Sequence, residues 1–163
     1  MRKIRRKEKE IKDRNTMLRI LRETKYITLA ICKDNTPYLV TLTHGYDPEK
    51  HVIYFHCAQE GKKIDIWKSN NVVWGQALVD KGYISGECDQ LYATTQFKGT
   101  VTFINDIDEK RHALITMINQ LEPEPEKVIK KQINKDSLKK VNIGKIDIDY
   151  LSGKKSGKAT LTF

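Results

Sequence analysis

Gly61, Lys62 and Lys63 lie between an apolar run that ends in Phe55-His56 and the segment KKIDIWKSN, where Ile64 and Trp67 recur at helical spacing. A strand end that meets a helix start through glycine leaves free backbone N–H groups and the positive end of a helix dipole, an arrangement that favours an anion. Two adjacent lysines add point charges at the same place. A first helical turn ordinarily favours acidic residues, so two cations there imply a counter-charge from outside the chain. The plainer alternative is a pair of solvated surface lysines. His56 is the only catalytic candidate, because imidazole can change its charge near neutral pH; it could equally be a hydrogen-bonded, half-buried strand-end residue. Its neighbour Cys57 is read as a buried, inert thiol.

No metal site is expected. Cys32, Cys57 and Cys88 form no CxxC pair, the four histidines lack HExxH spacing, and the cysteines are read as reduced thiols. His44 falls on or just after a strand, and convergence with His56 could ligate a metal or haem, although no third ligand is evident. His51 and His112 read as surface residues. Trp67, Trp74 and Tyr92 are assigned to the core or a dimer interface rather than to ring stacking.

A chain of 163 residues with 39% hydrophobic and 31% charged residues is globular in composition, and is read as a single domain over residues 1–163. It has no apolar run near the ~20 residues needed to span a bilayer, so a cytoplasmic protein without a membrane partner is expected. The net charge of +9 resides at the two ends: Lys and Arg exceed Asp and Glu by 5 over residues 1–14 and by 6 over residues 126–163. A basic N-terminal segment, 1–14, and a basic C-terminal stretch thus flank a nearly neutral body. A nucleic-acid-binding module is disfavoured by that placement. The tail SGKKSGKATLTF, 152–163, is a candidate mobile segment.

The elements follow from hydrophobic period. Met17, Leu18 and Leu21 predict a first helix preceded by Asn15 and Thr16. Ile27, Leu29 and Ile31 predict a strand, KDNTP a turn, and YLVTLTH the returning strand of a hairpin. GYDPEKH is a second turn, and VIYFH, apolar on both faces, is a central strand. VVWGQALV restarts the sheet, with Gly75 marking a bulge or a close approach by another backbone. Residues 80–91 read as a loop. Ala93 through Phe103 alternate cleanly, Ala113, Leu114, Met117, Ile118 and Leu121 form a helical stripe, EKVIKKQINKDSLKK is helical, and KIDIDYL closes the sheet. The result is a mainly β (α+β) chain, an antiparallel closed or split β-barrel with peripheral helices.

Five stretches, RRKEKEI, PYLVTLTHGYD, YFHCAQEGKKIDIWKSN, YATTQFKG and IDIDYLSGK, agree in order and spacing with one family. From about Arg2 to Lys154 the chain resembles the pyridoxamine 5'-phosphate oxidase-like FMN-binding split-barrel proteins, and within them the nitroimidazole-resistance branch. The resemblance implies an FMN-binding homodimer with the cofactor at the subunit interface, acting as a flavin-dependent oxidoreductase on a small molecule. It further implies that Lys62 and Lys63 grip the phosphate, that Val40, Thr41, Leu42 and Thr43 run beside the isoalloxazine, that Phe55 and His56 lie at the phosphate and ribityl side, and that Thr94 supplies a hydroxyl. The chain departs from the family pattern at Thr41 to His44, where Pro-Leu-Asn-Phe is usual, at Asn70-Asn71 in place of Asn-Pro, and at Trp74-Gly75. A non-enzymatic flavin-binding or sensing protein, or the same fold holding haem or a deazaflavin, stands as the alternative.

Overall fold

The structure, a computed structural model, describes residues 3–161. After a short 3-10 turn at Lys7–Lys9, the chain runs β1 (Glu10–Ile11), α1 (Arg14–Glu23), β2 (Tyr26–Lys33), β3 (Thr36–Thr43), β4 (Gly45–Asp47), β5 (Val52–Cys57), α2 (Lys62–Ser69), β6 (Val72–Ile84), β7 (Asp89–Phe103), α3 (Ile107–Leu121), α4 (Pro125–Gln132), α5 (Lys135–Lys140) and β8 (Asn142–Lys155). All strand pairs are antiparallel, in the order β3-β2-β6-β7-β8-β5-β4, with β1 on β8. β3 therefore has a strand on one side only, although it approaches β5 from the far end of the order. This is the split-barrel architecture expected from the sequence.

Local chemistry explains most boundaries. Asp13, two positions before the Asn15 that the sequence suggested, caps α1 by accepting from the N–H groups of Asn15 (3.2 Å) and Thr16 (2.9 Å). Asp34 and Asn35 take positive φ angles of 49° and 59°, the backbone that a two-residue hairpin turn requires, and place Lys33 opposite Thr36. α3 is capped by Asp106, and Asn134 with Ser137 form a capping box that divides the predicted basic helix into α4 and α5.

One expectation is corrected. Residues 80–91 are a hairpin arm rather than a loop: β6 and β7 pair out to Ile84 and Asp89 around a bulge between Asp80 and Tyr83. The glycines there belong to that bulge and to the arm's tip, where the Asp80 carboxylate accepts from Gly82 N–H at 2.8 Å. Ser152 to Lys155 continue β8, the Ser156 N–H donates to the Tyr92 carbonyl at 3.0 Å, and Ser156 and Ala159 are buried.

The core lies between the concave face of the sheet and helices α1 and α2, with Ile27, Leu29, Phe55, Phe97 and Ile146 facing Ile20, Leu21 and Trp67. A second cluster, Val52, Tyr54, Ala113, Met117 and Ile143, joins the other face of β5 to α3. Val52 through Phe55 are consequently all buried, as an apolar run on both faces requires. The close approach expected at Gly75 comes from a side chain. Phe97, its cross-strand partner, lies directly over it, and a Cβ on residue 75 would run into the ring.

The histidines read as surface residues are part of the packing around β4. His112 Nε2 lies 2.6 Å from the buried Asp47 carboxylate. Arg14 can only donate to His51 Nε2 (2.7 Å), which leaves the proton of a neutral ring on Nδ1, where it faces the Tyr46 oxygen at 2.8 Å. His44 is fully buried, 2.8 Å from the Leu21 carbonyl at the end of α1, with Gln120 of α3 beside it.

Gly75→Ala should destabilise the protein by about 1–3 kcal/mol through overpacking, measured as a fall in denaturant midpoint, and Phe97→Leu in the same chain should recover part of the loss. Additive losses in the double variant would contradict the packing account. A second expectation concerns acid. Burial holds the His44 imidazole below its ordinary value, and burial followed by the Arg14 charge does the same for His51. The unfolded chain therefore takes up these protons first as pH falls. Stability is whole above the ordinary histidine pKa of about 6.5 and declines below it, with a limiting slope of about 1.4 kcal/mol per pH unit for each proton. Unfolding measured from pH 7.5 to 5 should show this slope, reduced in His44→Gln; a flat profile would contradict it.

Candidate functional site

The sequence singled out the corner between β5 and α2, and the structure makes it a distinct feature of the surface. Phe55 points into the core, and the alternation of the strand turns His56 outward, where it is exposed. Gly61 has φ 118°, a conformation that a side chain would strain, and its carbonyl receives the N–H groups of Ile64 (2.8 Å) and Asp65 (3.1 Å). No side chain caps α2. The first N–H groups of that turn, on Lys62 and Lys63, thus face outward together with the positive end of the helix.

Among the described residues no carboxylate pairs with Lys62, Lys63 or His56. The Lys62 ammonium instead lies 4.6 Å from the centre of the Tyr38 ring. Lys63 is half-buried and its charge acts on Cys57, yet burial dominates and pushes that thiol up, in keeping with an inert thiol. The loop before Gly61 is tied down by amides that the sequence reading did not single out for this task. Gln59 donates to the Lys140 carbonyl (3.0 Å), and Asn142 donates to the Ala58 carbonyl (3.1 Å). At the other end of α2, Asn70 donates to the Cys32 carbonyl of β2 at 3.0 Å. Asn142 was legible only through the β5–β8 register, which sets it opposite Cys57 and which no local pattern reveals.

The other predicted site residues separate by face. Val40 and Leu42 pack against the core, so only their main-chain groups are available, on a strand that has one edge without a strand partner. Thr41 is exposed, with its hydroxyl 3.0 Å from that of Thr28, and Thr43 is half-buried. The Phe55 ring is fully buried over Gly144, so its side chain cannot meet a ligand at the surface. Thr94 is also buried, and its hydroxyl donates to the Ala77 carbonyl at 2.9 Å, which leaves it lone pairs but no proton to offer. His44 and His56 do not converge: one is enclosed between α1 and α3, the other is exposed at the β5 rim.

The convex face of β2, β3 and β6 carries a feature that the residue pattern left unassigned. Leu39, Ala30 and Trp74 form one cross-strand row, and Thr41, Thr28, Gln76 and Gln96 the next. Leu39 is 65% exposed and Trp74 40% exposed, and together with Ala30, Thr28 and the two glutamines they line a hollow of about 380 Å³. Tyr150 steadies Trp74 edge-on, with ring centres 5.9 Å apart. Tyr26 and Leu78 extend the same exposed apolar face. The signal was present in the sequence as large apolar residues on the outward parity of three neighbouring strands, but it needed the strand order to become visible.

The chain is an antiparallel split barrel with an uncapped, lysine-bearing helix start at the β5–α2 corner. The family model described as pyridoxamine 5'-phosphate oxidase matches residues 13–155, and the chain belongs to that family. No curated protein matches it. Among solved structures, it is similar to a proposed 5-nitroimidazole antibiotic resistance protein from Bacteroides thetaiotaomicron VPI-5482, with 24% identity, TM-score 0.76, and coverage of 89% of this chain and 85% of that one. The flavocytochrome Anf3 from Azotobacter vinelandii shares 14% identity at TM-score 0.79, covering 99% and 75% of the two chains. An FAD and heme binding protein from Mycobacterium smegmatis shares 16% identity at TM-score 0.76, covering 95% and 77%. Among the described residues no helix is long and apolar enough to cross a membrane.

Proposed function

We propose that this chain is an FMN-binding flavoprotein that works as a homodimer and acts as an oxidoreductase on a small molecule. The observation that carries the reading is the β5–α2 corner: two lysines without carboxylate partners on an uncapped helix start, in a member of this family. The doubly negative phosphate of FMN suits those donors, and it supplies the counter-charge that a helix start bearing two cations lacks. Two similar structures are a flavocytochrome and an FAD and heme binding protein, which supports a flavin as the cofactor class.

Lys62 and Lys63 would hold the phosphate, with the first N–H groups of α2 behind them and the exposed His56 imidazole at the rim. Thr41 and Thr43, with the unpaired edge of β3, would offer hydroxyl and main-chain groups to the polar edge of the isoalloxazine. Val40, Leu42 and Phe55 would support that surface from inside, and Thr94 could only accept a hydrogen bond. When bound, a flavin supplies hydride or electron transfer; the chain's part is to bind, orient and exclude water, so no side-chain acid or base is assigned. The apolar face that bears Leu39, Trp74, Tyr26 and Leu78 is larger in extent than scattered surface residues explain, and it fits a second copy laid against it, with the cofactor at the junction.

Two measurements test this. Protein purified without added cofactor should show flavin absorbance bands, and Lys62→Ala with Lys63→Ala should abolish FMN retention while the chain keeps its melting transition. A Soret band, or undiminished FMN retention in the double variant, would overturn the assignment. By sedimentation the protein should have twice the mass of one chain. Leu39→Lys with Trp74→Lys should shift it to the single-chain mass; an unshifted dimer would place the interface elsewhere.

A further inference from the structure

Lys62 is an exposed lysine on a long flexible stem, yet its ammonium has a defined position 4.6 Å from the ring centre of Tyr38. Tyr38 is itself half-buried on β3, opposite Ile31, and packed against the core, so the ring is a fixed platform. We propose that Tyr38 is a positioning and specificity residue: it tethers Lys62 in place without neutralising it, and so makes the corner select a phosphorylated flavin over an unphosphorylated one. The inference rests on the flavin reading above and deepens it.

The physical distinction is between two ways of holding a cation. A carboxylate would fix Lys62 equally well, but it would engage the same N–H donors and cancel the same charge that an incoming phosphate needs. An aromatic face attracts the ammonium through its quadrupole and occupies at most the donor directed at the ring. The other N–H groups and the whole charge stay available. Holding the stem in advance also removes part of the rotamer entropy that a free lysine would lose on gripping a ligand. Tyr38 lies on β3 and Lys62 opens α2, so the same contact ties the start of the helix to that strand.

The test compares FMN with riboflavin, which carries the same ring system and ribityl chain without the phosphate. Affinities are measured by fluorescence titration for wild type, Tyr38→Phe, and Tyr38→Met, which keeps apolar bulk but removes the ring. In Tyr38→Met the FMN dissociation constant should rise roughly three- to ten-fold, with riboflavin affinity unchanged and Tyr38→Phe close to wild type. In a Lys62→Met background the Tyr38→Met change should cost nothing further. Equal weakening of both flavins, an unaffected FMN affinity, or additive losses with Lys62→Met would overturn the proposal. A separate readout needs no ligand and no variant at residue 38. After reductive methylation, the N-methyl signals of Lys62, assigned by their loss in Lys62→Met, should be displaced upfield by the Tyr38 ring current. Wild type that binds neither flavin would sink the flavin reading and with it phosphate selection. In that case an upfield shift would still uphold the tether, and its absence would overturn that too.

Discussion

Phe55 and its two neighbours set the geometry on which the site depends. Its ring lies over Gly144 of β8 on one side and against Trp67 of α2 on the other, with ring centres 5.3 Å apart, and Trp67 in turn meets Phe103 of β7. This contact fixes the parity of β5, and in a strand the residue after an inward side chain must point outward. His56 therefore reaches the rim because Phe55 does not. The same contact docks α2, so the start of that helix is held at the end of β5. A dense apolar junction built on the fully buried Phe55 thus positions a charged corner.

The helices show what is unusual about that corner. α1, α3 and α5 each begin with Asp or Asn accepting from the first-turn N–H groups. α4 lacks a side-chain cap but starts with proline, which has no N–H to satisfy, and carries Glu126 in its first turn. α2 alone among them opens with Gly61 and two lysines; its only first-turn acid, Asp65, lies at the turn's end. Local rules are obeyed at four starts and broken at one, and such breaks concentrate where a protein binds something. A substitution that repaired α2 as a helix, such as an acidic residue in place of Lys62, would remove the feature that distinguishes it.

Much of the fold was legible because it is written in local periods. The hairpin at Asp34-Asn35, the two-faced burial of Val52 to Phe55 and the stripe of α3 all follow from residue spacing. The hairpin arm was not legible because Gly82, Gly86 and the charged residues around them have loop composition, and only pairing along β6 and β7 makes the residues flanking the turn at 85–88 strand. The same holds for the site. Gly61, Lys62 and Lys63 were visible as adjacent residues, whereas Tyr38, Asn142 and the Leu39-Ala30-Trp74 row become neighbours through the sheet order. Phe55 and Thr94 show the converse limit: a sequence position near a site does not state which way its side chain faces.

The departures from the family's usual residues acquire a physical meaning once their partners are seen. His44, where an aromatic residue is usual, is buried against the Leu21 carbonyl and beside Gln120, so it joins the end of α1 to α3 and contributes nothing at the surface. Asn70 donates to the Cys32 carbonyl, and Asn71, standing in for the usual proline, donates to the Val101 carbonyl at 3.4 Å. These amides fasten both ends of a short loop to two different strands, which a proline, lacking an N–H, would do only by stiffness. Trp74 is turned outward, onto the apolar face next to Thr28 and Gln76, and so is Thr41, whose hydroxyl lies beside that of Thr28. The altered residues thus divide into buttresses of the barrel and an outward pair, Thr41 and Trp74. On the reading proposed above, any difference from the family in what this chain binds would lie on the neighbouring rows that carry Trp74 and Thr41 rather than at the β5–α2 corner.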